Sequence, residues 1–63
     1  MKINIIKAKM VEKKINHKKL AEILKISERT LTNRFSSGIF KSDEMNIMTK
    51  VLEIENPSEI FFD

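Results

Sequence analysis

The chain of 63 residues has no Cys, no Trp and no Tyr, and only one His, one Gly and one Pro. Without Cys there is no disulfide, no thiolate zinc site and no thiol nucleophile. A single imidazole, His17, rules out a cluster of histidine metal ligands and leaves a would-be catalytic base without a partner. The four Met residues are read as core filler rather than a cofactor site. The adjacent acids Asp43 and Glu44 are read as first-turn helix charges rather than acid–base machinery. With no nucleophile–base pair and no phosphate loop, neither an enzyme nor a cofactor is expected. No apolar run reaches the length of a membrane helix, and Lys2, Lys7 and Lys9 interrupt the start, so neither a membrane partner nor a signal peptide is expected. The expectation is one domain, residues 1–63, in the cytoplasm.

What is present is charge, unevenly placed. Residues 1–41 carry eleven basic side chains against Glu12, Glu22 and Glu28, a balance of +8; residues 42–63 carry only Lys50 against six acids, a balance of −5. A basic body with an acidic end suggests a surface facing a polyanion and another turned away from it. A solvated lysine-rich surface would give the same balance, so charge alone does not decide.

With two Val and three Thr, the chain is built for helices. Ile3, Ile6 and Met10 recur at helical spacing between Lys2 and Lys14. Asn16 reads as the N-cap of a second helix whose inward face is Leu20, Ala21 and Leu24. Ser27, three residues past Leu24, reads as the N-cap of a third, with Leu31 and Phe35 inward. Gly38, the only Gly, falls where a left-handed C-terminal cap is needed. Ser42 is expected to cap a fourth helix with a wide stripe of Met45, Met48 and Leu52, flanked by Ile47, Val51 and Ile54. Asn56-Pro57-Ser58-Glu59 reads as cap, first-turn proline and third-position Glu of a short fifth helix.

Residues 16–38 carry the most information. Two short helices joined by about three residues cannot lie antiparallel and must cross steeply. Asn16 to Ala21, the turn at Ile26-Ser27, Leu31 with Gly38, and Asn56 to Phe61 together resemble the helix-turn-helix of the phage repressor and Cro-like family of bacterial transcription regulators. The resemblance extends over most of the chain. It implies an all-α, five-helix, lambda-repressor-like DNA-binding domain with the motif at helices two and three. The chain departs from the family at Lys25, where Gly is usual and where positive φ costs a side chain about 1 kcal/mol. It departs again at His17 for Gln, and at Met10 and Phe35 for an Arg–Glu pair, a swap of a buried ion pair for an apolar contact.

With Leu31 and Phe35 inward, Arg29 and Asn33 point outward one turn apart. Arg suits guanine, Asn adenine, and Glu the amino group of cytosine, each good bidentate contact giving about 1–3 kcal/mol of discrimination. The resemblance implies the same base-reading set: Glu28, Arg29 and Asn33, with Thr32 beside them. Phosphate contacts are expected from Asn16, His17 and Lys18 at the start of the second helix. Ser27 and Arg34 are expected to join them, as are Ser36, Ser37 and Lys41 at the far end of the third helix. Such a domain is expected to work on double-stranded operator DNA, in the major groove, as a homodimer. The apolar surplus for that contact comprises Ile39, Phe40, Ile47, Val51, Ile54 and Phe62, and the contact is expected in the acidic half. The leading reading is a sequence-specific regulator, a repressor of the Cro type. The alternative is an antirepressor-like modulator docking on a partner regulator protein through Phe40, Ile23 and the acidic half.

Overall fold

A computed structural model describes residues 1–62. Five helices follow one another, α1 (Ile3–Glu12), α2 (His17–Leu24), α3 (Glu28–Ser37), α4 (Ser42–Val51) and α5 (Pro57–Phe61), with no strand among the described residues. The fold is all-α, as the spacing of apolar residues implies. Among the described residues no helix is long and apolar enough to cross a membrane.

Three of the four turns solve one problem in one way. At the end of α1, Lys14 adopts φ 58°, its N–H donates to the Val11 carbonyl (3.1 Å), and the N–H of Ile15 reaches back to Met10 (2.8 Å). At the end of α2, Lys25 (φ 59°) donates to Glu22 (3.1 Å) and Ile26 to Ala21 (3.0 Å). After α4, Glu53 (φ 52°) donates to Lys50 (3.4 Å) and Ile54 to Thr49 (2.9 Å). This double bonding is the Schellman arrangement, which satisfies carbonyls that the helix leaves open. The residue after each left-handed position is Ile, and all three isoleucines pack on the core. α3 ends differently, with a single bond from Gly38 N–H (φ 71°) to the Arg34 carbonyl at 2.8 Å. The isoleucine that follows, Ile39, is 71% exposed, and Phe40 turns inward in its place at 5%.

The starts of the helices follow the sequence in two cases and depart from it in two. Asn16 accepts from Lys19 N–H at 2.7 Å and Ser27 from Thr30 N–H at 3.0 Å. Ser42, expected as a cap, is instead the first residue of α4, and Lys41 holds the capping position. The reason is Glu44: its carboxylate accepts from the N–H of Lys41 at 2.9 Å, stabilising that start from within the helix. Asn56 precedes α5 as expected, but its side chain makes no capping bond. Its backbone (φ −122°, ψ 70°) lies away from the extended geometry that aims the side chains of Asn16 and Ser27.

Ile6, Leu20, Leu31, Met48 and Leu52 form the wholly buried centre. Leu24, Ile60 and Phe61 close around them. Two links tie distant parts of the chain. Lys2 N–H donates to the Ile60 carbonyl at 2.8 Å, joining α1 to α5, and Lys13 pairs with Glu53 across the turns after α1 and α4. Burial also revises the apolar surplus: Phe40 and Ile54 belong to the core, Ile47 and Val51 pack partly against it, and Ile39 and Phe62 stay exposed.

The positive φ of Lys25 yields a direct test. Lys25→Gly removes the left-handed penalty of about 1–2 kcal/mol, offset by about 0.5–1 kcal/mol of added unfolded-state entropy. Thermal unfolding is expected to shift upward by a few degrees, from roughly 4–8 °C per kcal/mol for a domain this small. A lowered Tm would contradict the strain assigned to this turn.

Candidate nucleic-acid interface

The roll of α3 is set by Leu31, which has no solvent exposure. At 100° per residue, side chains two positions either side of Leu31 lie about 200° around the helix, on the opposite face. Those are Arg29 and Asn33, and both are exposed. Among the described residues their side chains make no hydrogen bond or ion pair. A planar guanidinium and a carboxamide thus stand one turn apart on an outer surface with their donors and acceptors open to a partner.

Glu28 and Thr32 are placed differently. Thr32 Oγ1 donates to the Glu28 carbonyl at 3.0 Å and stands 3.2 Å from His17 Nε2. Because the hydroxyl proton is committed to the carbonyl, the His17 contact requires Nε2–H to donate. With Nε2–H directed to Thr32, Nδ1, 3.6 Å from Glu28 Oε1, pairs with that carboxylate only when the ring is protonated. The ring centroid lies 6.2 Å from that of Phe35. His17 therefore leans onto α3 as a bridge between the start of α2 and two of the residues expected to read bases. Sequence reasoning placed the His17 backbone amide at phosphate and gave its imidazole no role in this bridge; the ring's contact is with Thr32, fifteen residues on.

The residues expected at phosphate divide in the same manner. The first amides of α2, those of His17 and Lys18, have no carbonyl one turn back to receive them and carry the positive end of the helix dipole. Lys18 and Lys41 are exposed cations. Asn16 spends its carbonyl oxygen on the cap, and its amide group remains a donor. Ser27 directs its hydroxyl proton to Thr30 Oγ1 at 2.9 Å. Ser37 directs its own to the Arg34 carbonyl at 3.2 Å and accepts from Ile39 N–H at 3.2 Å. Both serines are therefore occupied in shaping the ends of α3. Ser36 is exposed on the α3 face toward α1.

Arg34 requires a correction. Its Nε donates to Glu44 Oε1 at 3.0 Å and its Nη2 to Oε2 at 3.4 Å. Glu44 is 3% exposed, the only buried charged residue among the described ones. The same Oε1 accepts from Lys41 N–H, so the carboxylate is fully engaged, and among the described residues no buried side-chain nitrogen or oxygen lacks a partner. A fork-shaped guanidinium satisfies a desolvated carboxylate better than any other side chain. That is why Arg34 turns toward α4 rather than outward. Sequence reading took Glu44 as a first-turn helix charge, and its place at the third helical position gave no sign of the partner ten residues earlier.

The candidate interface comprises Arg29 and Asn33, outward on α3, the open amides and Lys18 at the head of α2, and Lys41 beyond the end of α3. Glu28, the acid among the residues expected to read bases, has its Oε1 3.6 Å from His17 Nδ1. No family model, curated protein or solved structure matches the chain, so the geometry alone carries the functional argument.

The pair under this surface is open to a mutational cycle. Arg34→Ala leaves the Glu44 charge buried and unpaired and is expected to cost about 3 kcal/mol or more in urea unfolding. Arg34→Met with Glu44→Leu removes both charges and is expected to recover most of that loss. Equal losses in the single and double variants would refute the pairing account.

Proposed function

We propose that the chain is a sequence-specific double-stranded DNA-binding regulator, of the Cro-repressor type, that occupies an operator by setting α3 in the major groove. It is a binding domain rather than an enzyme. The observation that carries the reading is the outward, unengaged pair Arg29 and Asn33, fixed in roll by Leu31. Arg29 donates to a guanine edge and Asn33 pairs with adenine. Thr32, bonded to His17, and Glu28 beside the same ring act as a shaped flank to that pair, with Thr32 offering its methyl to thymine. The head of α2, with the amides of His17 and Lys18 and the carboxamide of Asn16, takes a phosphate on one side, and Lys41 takes one on the other. Ser27, Ser37 and Arg34 serve the protein rather than the DNA.

One helix reads only a few base pairs, so the active species is a homodimer on half-sites about 34 Å apart. Domains measuring 26 × 23 × 19 Å are the right size to sit side by side at that repeat. Ile39 and Phe62, the two residues of the apolar surplus left exposed, are assigned to the contact. The alternative of docking through Phe40 loses its main anchor, since Phe40 is 5% exposed.

Selection from random duplexes at two salt concentrations tests this reading. The expected outcome is a two-fold symmetric enriched sequence whose preferred bases relax at separate positions in Arg29→Ala and Asn33→Ala, each losing about 1–3 kcal/mol of discrimination. Lys18→Ala is expected to weaken all sequences alike and to lower the salt slope by about one. Retention that is salt-sensitive but enriches nothing would overturn sequence reading. A second prediction concerns assembly: Ile39→Asp is expected to shift the sedimenting species to monomer and to weaken operator binding. An unchanged dimer would exclude Ile39 from the contact.

A further inference from the structure

Between α1 and α3, on the flank of the proposed DNA surface, lies a groove of about 550 Å3. That is within the roughly 300–1,000 Å3 of small-molecule sites. Its floor is apolar, formed by Met10, Val11, Ile15 and Phe35. Met10 is 7% exposed but Val11 is 79%, so the floor runs out to solvent along α1, where a covering group would remove apolar surface from water. Its rim is polar: Lys7 on α1, Asn16 and His17 at the head of α2, Thr32 and Ser36 on α3. No carboxylate lines it, and Lys7 is its one fixed charge. The Lys7 ammonium stands 5.4 Å from the centroid of the Phe35 ring, which holds the cation at the edge of the floor.

An apolar floor with one cation at its border, and no acid to neutralise it, complements a ligand with an apolar body and one negative group. An uncharged hydrocarbon would desolvate Lys7 without replacing its hydration, and a cation would be repelled. We propose that this groove binds a small amphipathic anion, a carboxylate on a medium-length aliphatic or aromatic body. The carboxylate meets Lys7 and the body covers Met10, Val11 and Phe35. His17 and Thr32 belong at once to the groove wall and to the edge of α3, and Asn16 caps the helix proposed to hold a phosphate. An occupied groove therefore places a negative charge beside that phosphate position and competes with DNA. The competition, unlike the binding itself, rests on the DNA-binding reading. A ligand response of this kind needs no separate sensing domain.

Octanoate is the probe, added to the isotope-labelled full chain, with acetate as the control lacking a body and octanol as the control lacking a charge. Saturable amide shifts confined to residues 7–17 and 32–36 are expected with octanoate, and none at matched concentration with acetate. Octanol and the variant Lys7→Gln are each expected to bind about fivefold more weakly, the size of a partly exposed ion pair. Shifts scattered over the surface, or an affinity indifferent to both Lys7→Gln and loss of the ligand charge, would overturn the site. With a duplex that the protein retains, octanoate is expected to lower retention by wild type more than by Lys7→Gln. Groove binding without any effect on retention would overturn the competition alone. Failure to retain any duplex would instead remove the DNA-binding reading, and the competition with it, while the shift data still decide the groove.

Discussion

Leu31 is wholly removed from solvent, and the rest of the proposed interface hangs on that burial. A helix held by one fully sunk leucine has one roll angle, and everything on its far side is then placed by geometry. Rotating α3 by a single residue would turn Arg29 and Asn33 onto its flanks and expose an apolar edge, at a cost near 1.5–3 kcal/mol for a Leu side chain alone. The turn before α3 supports the same arrangement. Lys25 in the left-handed region lets Ile26 fold back on the core, and Ser27 starts the next helix at once. There is no slack between α2 and α3 in which the face bearing Arg29 and Asn33 could shift.

Charge separates along the chain, and the few ion pairs that cross the divide do structural rather than recognition tasks. Arg34 comes from the basic part and Glu44 from the acidic part, and they meet where α3 ends and α4 begins. Lys13 and Glu53 repeat the pattern between two turns. Burying Glu44 would be prohibitive alone, but bonds from Arg34 and from the Lys41 backbone offset the lost hydration. The remaining basic groups near α2 and α3 stay exposed, which suits a surface that meets a polyanion and gains by counterion release. Around His17 the chemistry is finer. One ring joins two helices, bonding Thr32 and standing beside Glu28, and it also lines the groove.

Local chemistry was the legible part of the fold. Asn16, Ser27 and Gly38 act within a few residues of themselves, and each sits where its own backbone preference puts it. The unusual role of Lys25 was also readable, because the resemblance puts it at the turn position where Gly is usual. Tertiary competition was what could not be read. Ser42 lost the capping position because Glu44 had been drawn into a pair with Arg34, a contact invisible to helical spacing. Ile39 and Phe40 are neighbours of equal apolar character, and only the single-bond ending of α3 sends one outward and the other into the core. In the candidate site, the outward placement of Arg29 and Asn33 followed from Leu31. The roles of His17, Ser37 and Arg34 did not, because each is decided by a partner on another element or by competition for one proton.

The absence of cysteine permits the most direct measurement of where DNA lies. An iron chelate tethered at Ser36→Cys, one turn beyond Asn33 on the same line of α3, cleaves whatever backbone is within its reach; the same chelate at Glu59→Cys samples the acidic end. With a duplex that the protein retains, the account predicts cleavage confined to a short stretch on each strand from position 36 and none from position 59. Equal cleavage from both positions, or cleavage from 59 alone, would contradict the placement of α3 against the DNA.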